Sequence, residues 1–357
     1  MAKKRQLRVA LVGCGGMGVG HGRLVKALGE ELVAVADLNE QNRARAAEKL
    51  GARSYATTED LLATEKLDAA VVAVTNPAHA DVTVACLKAG VSVLCEKPMA
   101  ITWADCKRMV QAQPRPVGVP FLQIGFELRT CPPFAMINRI IRSGEIGEVR
   151  HVHFLQTPGA KKKGSWHVKR AAAGGLFMEK LCHQIDTFRM LLGCEPVSVT
   201  AVSAKNVMPH YEVPDNMFAT YRFEGGKAAH ISFFVGRAAE VAEHADAEYM
   251  DKQHWLEFII VGTKGSISMP LWKLEIVVTH NDDGRVTFAR RIRLAGTDAE
   301  APYHDTRPEM EMFLDAVRRK RRPALPAEDS LKTMRAVFAS EKSAAEGGRP
   351  VRISEIR

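Results

Sequence analysis

Over residues 8–125 short apolar runs alternate with segments of helical spacing. Arg8–Val12, Leu32–Ala36, Ala69–Val74, Val91–Cys95 and Leu122–Gly125 have the length and continuous apolar character of strands buried on both faces. Between them, Gly20–Leu28, Gln41–Leu50, Thr57–Leu62, Ala78–Ala89 and Trp103–Gln111 predict helices, with Thr57 or Thr58 as an N-cap. Strands alternating with helices predict a doubly wound parallel sheet. After Glu127 the pattern changes. Phe134–Arg142 predicts a helix and Val149–Gln156 alternates as a strand. Pro158–Gly175 reads as a loop, and Leu176–Leu192 as a long amphipathic helix. From Val197 to Leu294 strand follows strand, with turns at Glu224-Gly225-Gly226 and Asn281–Gly284. Consecutive strands without intervening helices predict a mixed, largely antiparallel open sheet with helices on one face. Pro308–Lys320 and Ala327–Ala345 predict two closing helices. The expected division is therefore 1–127 as an α/β domain and 128–357 as an α+β domain, with room for the terminal helix to pack back on the first.

Composition narrows the class. The chain has 357 residues, 46% hydrophobic and 25% charged, which excludes a disordered, collagen-like or coiled-coil protein. No apolar run approaches the ~18–20 residues of a membrane span. The first residues lead directly into a strand without a signal-peptide core, so a cytoplasmic protein with no membrane partner is expected. The net charge of +9 falls in separated clusters that match no nucleic-acid motif. No nucleic-acid partner is expected, and the excess suits an anionic cofactor or substrate. Seven cysteines without CxxC spacing read as reduced thiols. His151 and His153 would point to one side of a strand but lack a third ligand at a telling spacing, so no metal is expected.

The decisive local signal is Gly13-Cys-Gly15-Gly16-Met17-Gly18. It follows the first strand and opens the first helix, and Asp37 ends the second strand 19 residues after Gly18. That context makes it a dinucleotide fingerprint of a Rossmann-type domain. Gly13 permits the tight turn, Gly15 the close approach of backbone to pyrophosphate, and Gly18 the packing of helix on strand. Asp37 can accept from the adenosine ribose hydroxyls and would repel a 2′-phosphate, which favours NAD over NADP. Arg43 or Arg45 is the residue that could reach such a phosphate.

Two further segments carry a resemblance. Val93-Leu-Cys-Glu96-Lys97-Pro98 closes the strand Val91–Cys95, and Gly174-Gly175 precedes Glu179-x-x-x-His183-x-x-Asp186. Together with Thr75-Asn76-Pro77-Ala78-His79, they make the chain resemble the glucose-fructose oxidoreductase, inositol dehydrogenase and rhizopine-catabolism (Gfo/Idh/MocA) family over most of its length. The resemblance implies a nicotinamide-dependent oxidoreductase acting on a secondary alcohol of a sugar, sugar derivative, polyol or inositol. It implies cofactor contacts from Gly13, Gly15, Gly16, Met17, Gly18, Asp37, Thr75, Asn76, Pro77, His79, Glu96 and Lys97, with Lys97 also on the reacting hydroxyl. It also implies a homodimer or homotetramer built through the C-terminal sheet. The family's usual Asp-x-Gly-x-His-x-x-Asp is altered here, with Glu179 and Leu181 at the first and third positions.

Helical geometry argues the same site from the residues. At ~100° per residue, Glu179, His183 and Asp186 fall within about 60° of each other. Phe177, Leu181, Ile185, Phe188 and Leu192 fall on the opposite side. Alone, such a polar row reads as solvated pairs; after a glycine-rich loop it reads as a site. His183 is the candidate general base and Lys97 the stabiliser of developing alkoxide charge. Glu179 either orients that lysine or binds a neighbouring hydroxyl. Arg129, Trp166, His167, Arg170 and Asp186 are the substrate-binding candidates. Two other readings remain: a redox-neutral enzyme that oxidises its substrate only transiently with tightly held NAD, and a non-catalytic sensor of NAD and a sugar.

Overall fold

The computed structural model describes residues 5–114, 119–235, 255–270, 275–294 and 304–357. The chain forms two compact units. The first comprises Met1–Glu127 with Thr306–Met334, and the second Leu128–Asp305 with Arg335–Arg357.

In the first unit the order is β1 (Arg8–Val12), α1 (Gly16–Ala27), β2 (Glu31–Ala36), α2 (Glu40–Leu50), β3 (Arg53–Tyr55), α3 (Thr58–Thr64) and β4 (Ala69–Val72). Then come α4 (His79–Lys88), β5 (Ser92–Cys95), α5 (Trp103–Gln111) and β6 (Leu122–Ile124). All six strands pair in parallel, in the order β3-β2-β1-β4-β5-β6. Alternation within β1 explains why its sequence is apolar at every position after Arg8. Val9 and Leu11 enter one core with Leu94 and Phe121, while Ala10 and Val12 enter another with Ala34 and Leu61. Asn39, Thr57 and Thr102 cap α2, α3 and α5 by accepting from backbone N–H groups three residues on.

The second unit begins with α6 (Pro132–Arg142), β7 (Val149–Thr157), the short α7 (Arg170–Ala173), a π-helical turn at Phe177–Leu181 and α8 (Cys182–Leu192). Strands β8 (Pro196–Val202), β9 (Asn216–Phe223), β10 (Ala228–Phe234), β11 (Trp255–Gly262), β12 (Gly265–Pro270), β13 (Glu275–Asp282) and β14 (Arg285–Arg293) follow. They form a nine-stranded sheet in the order β14-β13-β12-β11-β7-β10-β9-β8-β15, where β15 is Val351–Arg352. Among the described pairings of this sheet, only β7 and β10 are parallel. The Asn281–Gly284 turn closes the β13–β14 hairpin, with Asp283 at φ 46° and Gly284 at φ 81°. Inward residues pack edge to face, as Phe134 on Phe258 at 5.0 Å and Phe188 on Tyr221 at 6.2 Å between ring centroids.

Helix α9 (Arg307–Arg318) belongs to the first unit although its sequence follows the second sheet. Its Met310, Phe313 and Leu314 join Val9 and Leu11 in one core, and Phe313 meets Phe121 edge to face at 5.7 Å. The last long helix, α10 (Ala327–Ala345), has its first residues in the first unit and those from Arg335 in the second. Phe313 is fully buried. Phe313→Ala should therefore destabilise the first unit by ~3–5 kcal/mol, read as a lowered midpoint in denaturant.

Candidate active site

The glycine turn is shaped by close backbone approach. A Cβ at Gly13 (φ 98°) would stand 2.3 Å from the Ala73 carbonyl oxygen, and one at Gly18 would stand 2.0 Å from that of Gly13. Neither is possible without moving β4 or α1. At Gly15 and Gly16, by contrast, a Cβ would meet no heavy atom within 4 Å. The turn thus offers bare backbone at the start of α1, whose first turn has no acidic residue and no side-chain cap. Such an end attracts phosphate. The Asp37 carboxylate is fixed beside it, accepting from Cys14 N–H at 2.7 Å and from Asn39 N–H at 2.8 Å. Arg43 donates to the Asp37 backbone carbonyl at 2.8 Å.

At the same edge of the sheet, Glu96 and Lys97 follow β5, and the Lys97–Pro98 bond is cis. Burial opposes ionisation of Glu96, but the hydrogen bond and charge of His21, with that of Lys97, hold its carboxyl below the ordinary range. His21 is itself buried, its Nε2 2.6 Å from Glu96 Oε1. His79 is buried too, with ring nitrogens 2.7 Å from the Pro98 carbonyl and 3.2 Å from that of Val74. It ties α4 to the segment after Lys97. Thr75 and Pro77 are exposed, while Asn76 is buried.

In the second unit, the helix carrying Glu179, His183 and Asp186 is not one regular amphipathic cylinder. Glu179 lies in the π turn and His183 in α8, so a constant ~100° step does not relate them. Nor does α8 keep an exposed polar face: His183, Gln184, Asp186, Thr187 and Arg189 are all buried. The single-face expectation is corrected accordingly. Asp186 receives Arg129 in a bidentate pair, with its Oδ1 2.6 Å from Arg129 Nη2. These two predicted substrate contacts hold each other. The His183 ring is 6.0 Å from that of His304. Trp166 is 40% exposed and stacks on His167 at 3.9 Å between centroids. His167 Nε2 is 3.9 Å from Glu179 Oε1. Arg170 is exposed on α7 and donates its backbone N–H to Glu212.

Glu341 of α10 explains Gly175, before the π turn. It accepts from Phe177 N–H at 2.8 Å, and a Cβ at Gly175 would stand 2.2 Å from its Oε1. Burial pushes the Glu341 carboxyl above its ordinary range. Among the described residues, no group of three His, Cys, Asp or Glu side chains is arranged to hold a metal ion. No described helix is long and apolar enough to cross a membrane.

Comparison with known proteins identifies the arrangement. Residues 7–117 match the oxidoreductase family's NAD-binding Rossmann fold, and residues 139–353 match its C-terminal alpha/beta domain. The chain belongs to the Gfo/Idh/MocA oxidoreductase family. It is 32% identical over 233 residues to inositol 2-dehydrogenase 2 of Saccharopolyspora erythraea, covering 64% of this chain and 67% of that relative. It is 28% identical to the 1,5-anhydro-D-fructose reductase of Ensifer adhaerens, over 90% of this chain and 91% of that one. The solved structure of levoglucosan dehydrogenase in complex with NADH and levoglucosan shares the fold, with a TM-score of 0.82 at 23% identity over 98% of this chain and 99% of that chain.

The first unit is thus an NAD-binding domain of the Gfo/Idh/MocA family, and its residues fit the group. The turn at Gly15–Gly18 with the start of α1 would hold the pyrophosphate, and Asp37 the adenosine ribose. Sequence reasoning missed His21, which carries no motif, and Glu341, whose partner lies 164 positions away. It also missed Gln156, Lys180 and Tyr211, which line a cavity with Glu179 and His167. Gln156 was the detectable one, a polar residue at an inward position ending an apolar strand.

Because the Glu341 carboxyl titrates above its unfolded range, the folded state binds the extra proton. Its contribution to stability is complete at low pH and is lost as pH rises through the raised value. Glu341→Gln keeps an acceptor for Phe177 N–H and removes this loss. The melting temperature of Glu341→Gln relative to wild type should therefore climb as pH is raised from ~4.3 upward. A difference independent of pH would refute a buried, titrating carboxylate.

Proposed function

We propose that this oxidoreductase oxidises a secondary alcohol of a sugar, sugar derivative, polyol or inositol with NAD, in the cytoplasm. The observation that carries the reading is Lys97, which follows β5 at the same carboxyl edge of the parallel sheet as the glycine turn after β1. Open α/β sheets take their ligands at that edge. The inositol dehydrogenase and anhydrofructose reductase names of the relatives support a polyhydroxylated substrate. Seven cysteines without a disulfide, six of them buried, suit a reducing compartment.

Bound NAD supplies the hydride acceptor. In this proposal the protein's own groups handle the proton and the charge. His183 takes the hydroxyl proton, and the Lys97 ammonium stabilises the alkoxide as it forms. Glu96 and His79 are positioning residues for Lys97: one holds charge beside it, the other anchors the carbonyl of Pro98. Arg129 braces Asp186 on α8, one turn from His183. Trp166, His167 and Arg170 line the approach of the sugar.

A homodimer or homotetramer through the second sheet is part of the same proposal. The face of that sheet away from its core carries Leu155 and Ile259, only partly buried, with exposed Phe218 and Phe234 stacked at 6.4 Å. A second copy would cover them.

Asp37→Ser should lower the preference for NAD over NADP by at least ~tenfold in kcat/KM, because the carboxylate that repels a 2′-phosphate is gone. A wild-type preference for NADP would contradict the role given to Asp37. His183→Ala should reduce kcat by ~10²–10⁴ with NADH affinity nearly unchanged, and part of the loss should return at high pH. Lys97→Ala should lose a similar or larger factor that high pH does not restore. Near-normal turnover of His183→Ala would sink the assignment of the base.

A further inference from the structure

The loop between β7 and the π turn, residues 158–175, carries Lys161, Lys162, Lys163, His167, Lys169 and Arg170 and no carboxylate. Beside it the second unit encloses a cavity of about 150 Å³. Its polar wall is Gln156, Lys161, His167, Glu179, Lys180 and Tyr211, over an apolar floor that includes Leu176 and Phe233. Drug-sized ligands occupy ~300–1,000 Å³, so this space suits a single small ring or chain.

Three features make it a built site for a charged, hydroxylated ligand. The first is the fixing of Lys161. Its backbone N–H donates to the Tyr211 hydroxyl at 2.6 Å, and its carbonyl lies 2.9 Å from His210 Nε2. A cation is thereby held at the cavity on backbone that two bonds restrain. The Tyr211 hydroxyl, accepting from that N–H, keeps its own proton to donate, and burial raises its pKa so that the proton stays. The second is Gln156. It is 4% exposed, and its Oε1 has no hydrogen-bond partner among the described residues. A buried amide oxygen without a donor is costly, and a ligand hydroxyl would supply one. The third is the charge balance. Lys161 and Lys180 are the basic residues of the lining and Glu179 its one acidic residue, with Glu179 Oε1 3.9 Å from the His167 imidazole.

We propose that the natural substrate is an anionic monosaccharide or polyol, whose carboxylate or phosphate is held by Lys161 and Lys180 while Gln156 and Tyr211 take its hydroxyls. This rests on the oxidoreductase reading above and narrows it to acidic substrates. Arg170, exposed two residues beyond Val168 of the lining, adds to the field that draws such an anion in.

The test is calorimetric titration of the full chain saturated with NADH. The panel is hexuronates, hexonates and hexose 6-phosphates, each paired with its neutral parent sugar or polyol. At least one anion should bind tenfold or more tightly than its neutral parent, and raised salt should weaken it. The carboxylate and phosphate members decide which anion is used. Lys161→Met and Lys180→Met should each weaken the anion at least tenfold while leaving the neutral parent and NADH unaffected, the latter serving as the check on folding. Equal or tighter binding of every neutral parent, or no anion bound at millimolar concentration, overturns the proposal. NADH formation from the best ligand with NAD⁺ is measured separately. A sugar acid that binds by these lysines yet is never oxidised would count against the oxidoreductase reading and leave the anion site standing.

Discussion

Backbone crowding between Gly13, Gly18 and Ala73 is the constraint on which the first unit depends. With two side chains removed, β1 can run into α1 so tightly that the start of the helix stands directly over the end of the strand. The open backbone at Gly15 and Gly16 is the other side of the same packing. A larger residue at Gly13 or Gly18 would move α1 off the sheet, and the anion-binding end would move with it. Asp37 then fixes the turn's position by accepting from Cys14 N–H, so the carboxylate proposed to meet the ribose also braces the glycine turn.

The second unit solves a different problem, which is how to bury a helix rich in polar side chains. Isolated buried charges are costly, and α8 meets that cost with partners. Asp186 is satisfied by Arg129, Arg189 by Glu195 at 2.6 Å, and Thr187 by the His183 carbonyl at 2.8 Å. A helix fixed in this way, with Ile185 and Phe188 buried in the core as well, holds His183 still. Upstream, Glu341 occupies the space that a side chain at Gly175 would need and binds Phe177 N–H. The π turn that follows rotates Glu179 and Lys180 toward the lysine-rich loop and its cavity.

The parallel sheet, the antiparallel sheet, the glycine turn and Asp37 were legible in the sequence because each depends on neighbours a few positions away. Apolar runs of five residues, a Gly spacing and an Asn-Asp-Asp-Gly turn are local signals. The polar row on the long helix was legible as composition but not as geometry. Its angular reading assumed one uniform pitch, and a π turn stabilised by a side chain 164 residues downstream broke that assumption. His79 illustrates another limit. The family resemblance implied a contact with the cofactor, and nothing local in the sequence showed that its ring would also stand between the backbone carbonyls of Pro98 and Val74. The membership of α9 in the first unit was equally invisible, since an apolar helix face does not declare which sheet it will cover.

In the proposed reaction this chain removes a hydride from a carbinol carbon and leaves it on the nicotinamide. The direct measurement uses a polyol or sugar-acid substrate deuterated at that carbon, with NAD⁺ and the purified protein, and mass analysis of both products. One deuterium is expected in each NADH formed, in equal amount to the ketone. Consumption of the substrate with no accumulation of NADH, or with the deuterium returned to the product, would contradict it and mark a redox-neutral reaction instead.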